Sequence, residues 1–287
     1  MGFLRDICEN QGGKKFVEKT QNYFPKTSWG SMGVKFFDYD NDGRMDLLVT
    51  DMHSDMMQEQ SPEHEKEKIT SHAPDDALGA PADKFIFGNS CYAINSVLLN
   101  NRGAKFLDSE FRLGVEPRQT PYTPWFVMDC TNPAVLGPLG QVVCQGQTQK
   151  VTVSGPKSSR ASVIFDLDND GDLDIVTNDF NSEPMVLVSD LAQQKKIHWL
   201  KVVLVGTKSN RNGLGATVRV HSGGQTYTRY NDGKSGYLSQ SVLPLYFGLG
   251  DISKIDSIEV AWPSGRKQVI RKGLTDNQTL KITEPDK

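Results

Sequence analysis

No run of about 18 apolar residues occurs anywhere in the 287-residue chain, so the sequence contains no membrane-spanning helix. Its first residues, MGFLRDICENQGGKKF, lack the basic segment, apolar core and small-residue cleavage site of a signal peptide. Cysteine is scarce. The four residues Cys8, Cys91, Cys130 and Cys144 include no CxxC pair, which argues against a zinc knuckle or a thioredoxin-like site. No nucleophile elbow, HExxH, GxGxxG or triad-like pairing is present. A net charge of −3 gives no global attraction to nucleic acid. The charge is uneven, however. Residues 198–287 hold 13 Lys/Arg against 7 Asp/Glu, and the rest holds 19 against 28. That asymmetry reads as two separate domains, with a weak polyanion site as the sharper alternative.

Helical patterns are few as well. The best, Ser61–Lys68, has Ser61 as N-cap and Pro62 at the first helical position. Short β-branched or aromatic runs bounded by Gly, Asn, Asp or Pro dominate instead, and they place the chain in the all-β class. ENQGGKKFVE (Glu9–Glu18) and NNRGAKFLD (Asn100–Asp108) each read as a hairpin with glycine in the turn. Residues 51–84 carry nine acidic against three basic side chains and read as a surface insertion. Three histidines lie there, His53, His64 and His72, in no metal-binding spacing. Cys130 and Cys144 flank a Pro/Gly-rich loop. A disulfide closing about 15 residues would contribute roughly 3 kcal/mol; two separate buried thiols are the alternative. Cys8 and Cys91 read as ordinary buried thiols.

One element is present twice. FFDYDNDGRMDLLVTD (Phe36–Asp51) and IFDLDNDGDLDIVTND (Ile164–Asp179) align without a gap, 128 residues apart. Asp38, Asp40, Asp42 and Asp46 fall at loop positions 1, 3, 5 and 9, with Gly43 at position 6. Asp166, Asp168, Asp170, Asp174 and Gly171 repeat the pattern. Alternate carboxylates before a turn-permitting glycine wrap oxygen around a hard cation, here Ca²⁺ at two sites. Position 7, Arg44 or Asp172, would add a main-chain carbonyl. An EF-hand is excluded: position 12 is Val49 or Thr177 rather than Glu, and strands flank both loops. A phosphoryl-transfer site would be single; a motif repeated with its glycine intact reads as a structural part.

These residues resemble the FG-GAP (VCBS-type) repeats of integrin-alpha-like β-propellers. The resemblance implies that Asp38, Asp40, Asp42, Arg44 and Asp46, and Asp166, Asp168, Asp170, Asp172 and Asp174, hold Ca²⁺. Further on, HWLKVVLVGTKSNRNGLGATVRV, DGKSGYLSQ, LYFGLGD and IEVAWPSG resemble the ASPIC/UnbV domain. Together the modules resemble the cartilage acidic protein family, especially its bacterial members. The expected architecture is a partial propeller of about three blades over 1–195, with an insertion near 52–84. A β-sandwich-like ASPIC/UnbV domain is expected over 198–287. Family propellers have more blades, so an N-terminally truncated chain is expected, exposing sheet edges to self-association or to missing blades. The implied function is a non-enzymatic, extracellular or periplasmic interaction module for a protein or glycan ligand. A metal-dependent hydrolase of polysaccharide or phosphate ester, or a fragment that assembles with missing blades, are the alternatives.

Overall fold

Where the sequence places glycine behind asparagine, the chain turns. In the computed structural model, which describes residues 7–24, 31–51, 96–101, 105–110, 112–115, 122–132, 144, 148–156, 158–180 and 182–286, β1 (Cys8–Asn10) pairs antiparallel with β2 (Phe16–Glu18). The Asn10 Oδ1 accepts from the Gly13 N–H at 2.6 Å, and Gly12 and Gly13 take φ of 62° and 77°. A single helical turn, α1 (Thr20–Tyr23), follows. Then come β3 (Ser31–Phe37), β4 (Asp46–Asp51), β5 (Ser96–Asn101) and β6 (Lys105–Asp108), hydrogen-bonded in chain order as one four-stranded sheet. That is the form of a propeller blade. Every residue of β4 is buried, which explains its unbroken apolar centre, Leu47-Leu48-Val49. Phe24, Leu47, Val49 and Leu98 form a core with Ile7, Tyr23 and Phe106 against it. The Phe24 and Phe106 rings meet edge-on at 4.9 Å, a geometry favoured by the aromatic quadrupole.

β7 (Tyr122–Asp129) and β8 (Lys150–Pro156) form an antiparallel pair with a register shift between Pro124 and Phe126. Proline has no N–H to give the ladder, so an irregularity there is expected. Just past β7, Cys130 and Cys144 are joined in a disulfide, their Cα atoms 5.5 Å apart and both side chains buried. Cys8, read from sequence as buried, is exposed instead, like the rest of β1. Next, β9 (Ser158–Phe165), β10 (Asp174–Phe180) and β11 (Val186–Leu187) make a three-stranded sheet, again in chain order. A second helical turn, α2 (Leu191–Gln194), leads out of it. The described strands form separate sheets of two to four strands, none closed into a barrel. The helix read at Ser61–Lys68, the three histidines of the insertion and Cys91 lie outside the described residues.

The chain divides into two compact units. One comprises Met1–Val34, Leu47–Ala161 and Thr177–Met185; the other comprises Lys35–Asp46, Ser162–Val176 and Val186–Lys287. Both acidic loops therefore cluster with the C-terminal strands. In that second unit, β12 (Trp199–Val205), β13 (Thr217–Ser222), β14 (Gln225–Tyr230), β15 (Leu245–Gly248), β16 (Ile255–Ala261), β17 (Lys267–Ile270) and β18 (Gln278–Thr283) form two sheets. The strand orders are β15-β12-β18 and β14-β13-β16-β17. Alternate residues face inward, as the pleat requires. Leu200, Val202 and Leu204 of β12 meet Val218 and Val220 of β13 and Ile258 and Val260 of β16 in one core with Phe247 and Ile282. Each such side chain contributes about 1.5–3 kcal/mol on full burial. Two sheets sharing a core make a sandwich, as expected from sequence. The Trp262–Gly265 turn closes as its residues dictate. Gly265 takes φ 88° and donates to the Trp262 carbonyl at 2.9 Å, and Trp262 is buried.

Candidate metal centres

Each acidic loop joins two neighbouring strands of one sheet, β3 to β4 and β9 to β10. The loops repeat in geometry as well as in sequence. Asn41 and Gly43 take φ of 57° and 86°; Asn169 and Gly171 take 65° and 104°. Position 4 thus needs a left-handed residue as much as position 6, and asparagine is the side chain that tolerates it best after glycine. Asp38 Oδ2 accepts from the Gly43 N–H at 2.9 Å, and Asp166 Oδ2 accepts from the Gly171 N–H at 2.9 Å. Asp46 Oδ2 accepts from the Tyr39 N–H at 2.8 Å, and Asp174 Oδ2 from the Leu167 N–H at 2.6 Å. Asp42 Oδ1 accepts from the Arg44 N–H, and Asp170 Oδ1 from the Asp172 N–H. Local side-chain bonds of this kind hold the chain out of regular sheet and fix the carboxylates in place.

Two clusters result. Asp38, Asp40 and Asp46 each bring one ligand oxygen within 4.8 Å of the others, and so do Asp166, Asp168 and Asp174. These six are the side chains that converge; Arg44 and Asp172 entered the sequence reading for their main-chain carbonyls. Asp42 instead pairs with the Arg44 guanidinium. The Asp172 side chain is buried and its Oδ2 accepts from the Ala192 N–H at 2.8 Å, tying the second loop to α2. Asp170 stands outside the converging set, its Oδ1 taken by the Asp172 N–H.

Burial makes the clusters electrostatically costly. It pushes the Asp38 carboxyl up to about 7, with Asp42 and Asp46 adding to the rise and Arg229 opposing it. Asp40 is raised by burial and by Asp42, and Asp174 by burial and by the neighbouring Asp168 and Asp166. Asp172 rises to about 6, chiefly through burial, against the hydrogen bond from Ala192. Asp40 Oδ1, Asn41 Oδ1 and Asp166 Oδ1 are buried oxygens with no hydrogen-bond donor among the described residues. Such oxygens are expensive to leave unmatched. Crowded, donor-poor carboxylates suit a hard cation, and both clusters can hold a metal ion.

The residues that enclose the loops were not legible in the motif. The Tyr227 ring covers Gly43, where an added Cβ would lie 2.3 Å from Tyr227 Cε1. The Trp199 indole covers Gly171 in the same way, 2.1 Å from Nε1. The Tyr246 hydroxyl accepts from the Asn41 amide at 2.7 Å and donates to the Gly171 carbonyl at 2.9 Å, so one side chain bridges both loops. Gly248 backs onto Asp38, with an added Cβ only 2.0 Å from Oδ2. The Lys195 Nζ donates to the Asp40 carbonyl at 2.5 Å, and the Lys201 ammonium pairs with Asp166. The available sign was the glycine inside strand segment LYFG, since glycine in a strand often marks a close approach.

Comparison with protein-family models matches ASPIC and UnbV over residues 206–287 and an FG-GAP-like repeat over residues 6–49. No curated protein matches the chain. The chain thus carries stretches that match an FG-GAP-like repeat and an ASPIC/UnbV domain. The repeat match runs from the first hairpin through the first acidic loop into β4.

Proposed function

We propose that this chain, an FG-GAP-like repeat joined to an ASPIC/UnbV domain, is a calcium-stabilised interaction module and not an enzyme. Asp38, Asp40 and Asp46 would hold one Ca²⁺, and Asp166, Asp168 and Asp174 another; the ion would supply charge neutralisation and cross-linking of the loop. The observation that carries this reading is the duplication. The same carboxylate cluster, with three matching internal hydrogen bonds, is built twice and capped twice by an aromatic ring from the sandwich. A part used once per repeat and roofed by Tyr227 or Trp199 serves the fold. A reacting centre would be single and would need a position for substrate.

Placement outside the cytoplasm follows from two supports. Loops of this kind in extracellular modules bind Ca²⁺ at about 10⁻⁴–10⁻³ M. The Cys130–Cys144 disulfide also belongs to an oxidising compartment. The ligand would be a protein or glycan surface outside the cell. No described helix is long and apolar enough to cross a membrane.

Thermal unfolding tests the calcium reading. Chelator should lower the Tm and millimolar Ca²⁺ should restore it, while the same ionic strength of K⁺ should not. A ligand at 100 times its Kd adds about 2.7 kcal/mol. A Tm indifferent to Ca²⁺ would refute the reading. Metal-dependent turnover of model glycans or phosphate esters that Asp168→Asn abolishes, with stability kept, would replace it with a hydrolase.

A further inference from the structure

The two acidic loops share most of their internal hydrogen bonds and differ at their charged neighbours. Beside the first loop stands Arg229, whose charge acts on Asp38 but which makes no hydrogen bond to it. Its Nε donates to the Tyr246 carbonyl at 3.0 Å and its Nη1 to the Thr228 carbonyl at 3.1 Å, and its guanidinium lies 5.3 Å from the Phe247 ring. Among the described residues, the two Asp38 oxygens accept from the loop's own Asp42 and Gly43 N–H groups and from no cationic side chain.

At the second loop the arrangement differs. Lys201 lies on β12, between the core residues Leu200 and Val202, so the pleat turns it away from the sandwich core and toward the loop. Its Nζ donates directly to Asp166 Oδ2. The Lys201 side chain is 11% exposed and that of Asp166 is 0% exposed, so this is an enclosed pair and not a surface contact. The ammonium also sits 4.6 Å from the centroid of Trp199, the ring that roofs Gly171. Asp166 Oδ1 has no donor among the described residues. A monovalent cation belonging to the chain therefore already stands at the cluster.

We propose that Lys201 is a built-in counter-ion of the second loop, which makes the two loops unequal toward Ca²⁺. The first loop takes the ion directly. The second takes it only when the Lys201 ammonium gives up Asp166, since two cations cannot share that carboxylate at contact distance without strong repulsion. Separating an enclosed charge pair is costly in itself. Over the Ca²⁺ range that fills the first loop, the second is held shut by its own lysine. This inference rests on the reading of both loops as Ca²⁺ sites.

The test is a Ca²⁺ titration of the full chain by calorimetry, with Tb³⁺ luminescence to tell the loops apart. Trp199 lies against the second loop and Tyr227 against the first, so tryptophan-sensitised emission lost in Trp199→Phe reports the second loop. Two classes of site are expected, separated by on the order of tenfold or more in Kd. Asp38→Asn should remove the tight class. Lys201→Met should tighten the weak class by on the order of tenfold and bring the Trp199 signal to lower Tb³⁺, leaving the tight class unchanged. Lys201→Arg should keep the weak class weak. Two equal classes in the wild-type chain, or a weak class that Lys201→Met leaves unmoved, would overturn the inference while the calcium reading stands. Failure of Ca²⁺ to bind at either loop would overturn both. The wild-type titration alone decides the matter if Lys201→Met does not fold.

Discussion

The Tyr246 hydroxyl donates to the Gly171 carbonyl at 2.9 Å, joining a strand of the C-terminal sandwich to a loop 75 residues earlier in the chain. The same oxygen accepts from Asn41 in the other loop. Removing that hydroxyl strands the Asn41 amide and the Gly171 carbonyl together. Tyr246→Phe keeps the ring and should cost about 1–2 kcal/mol, read as a lower urea midpoint with an unchanged slope. The Ca²⁺ affinity of both loops should weaken with it, because the side chain positions both.

The loop glycines should tolerate no side chain. At Gly43 and Gly171 an alanine meets a positive φ and an aromatic ring at 2.3 and 2.1 Å. Each substitution should cost about 2–4 kcal/mol, from backbone strain plus displacement of the ring. Gly224→Ala is the control. Its φ is +78° but no described residue lies within 4 Å of an added Cβ, so about 1 kcal/mol is expected. Equal losses at the three sites, by denaturant unfolding, would show that the rings do not matter.

Stability without Ca²⁺ should fall as pH rises from about 5 to about 8. Asp38 is pushed up to about 7 and Asp172 to about 6, with Asp40 and Asp174 raised as well. Unfolded carboxylates release their protons near 4. Between those values the folded chain holds more protons than the unfolded one, so raising pH favours unfolding. Glu284 does not obscure this. Burial would raise it, but hydrogen bonds from Ser264, Ser209 and Thr207 hold it down to about 2, and its contribution is complete above its ordinary value. Ca²⁺ binds the ionised carboxylates and competes with protons. Melting temperatures in chelator should therefore drop across this window, and saturating Ca²⁺ should remove or reverse the drop.

Loss of the Cys130–Cys144 bridge should cost about 2–4 kcal/mol. Both side chains are fully buried, so reduction should be slow until the region opens. The double variant Cys130→Ser/Cys144→Ser, compared with wild type by thermal melting under oxidising conditions, measures the effect directly.

What the sequence alone determined is whatever lies within a few residues. The nine-residue spacing of Asp38 to Asp46, its copy at Asp166 to Asp174, the Asn10–Gly13 turn and the alternation of WLKVVLV are local patterns. Local geometry follows from φ preferences, pleat and hydrogen bonds that span a few positions. The sequence therefore named the carboxylates that converge. Spacing could not show the internal partners of Asp42 and Asp170: Asp42 pairs with Arg44, and Asp170 Oδ1 accepts from the Asp172 N–H. Only the tertiary structure decided what surrounds the loops. Tyr227, Trp199, Tyr246 and Lys201 sit on strands far along the chain from one or both loops, and their presence there depends on how the sandwich presents its outward faces. A contact of that range leaves no periodicity to read. The lysine that separates two otherwise matching loops became visible only when β12 was placed beside Asp166.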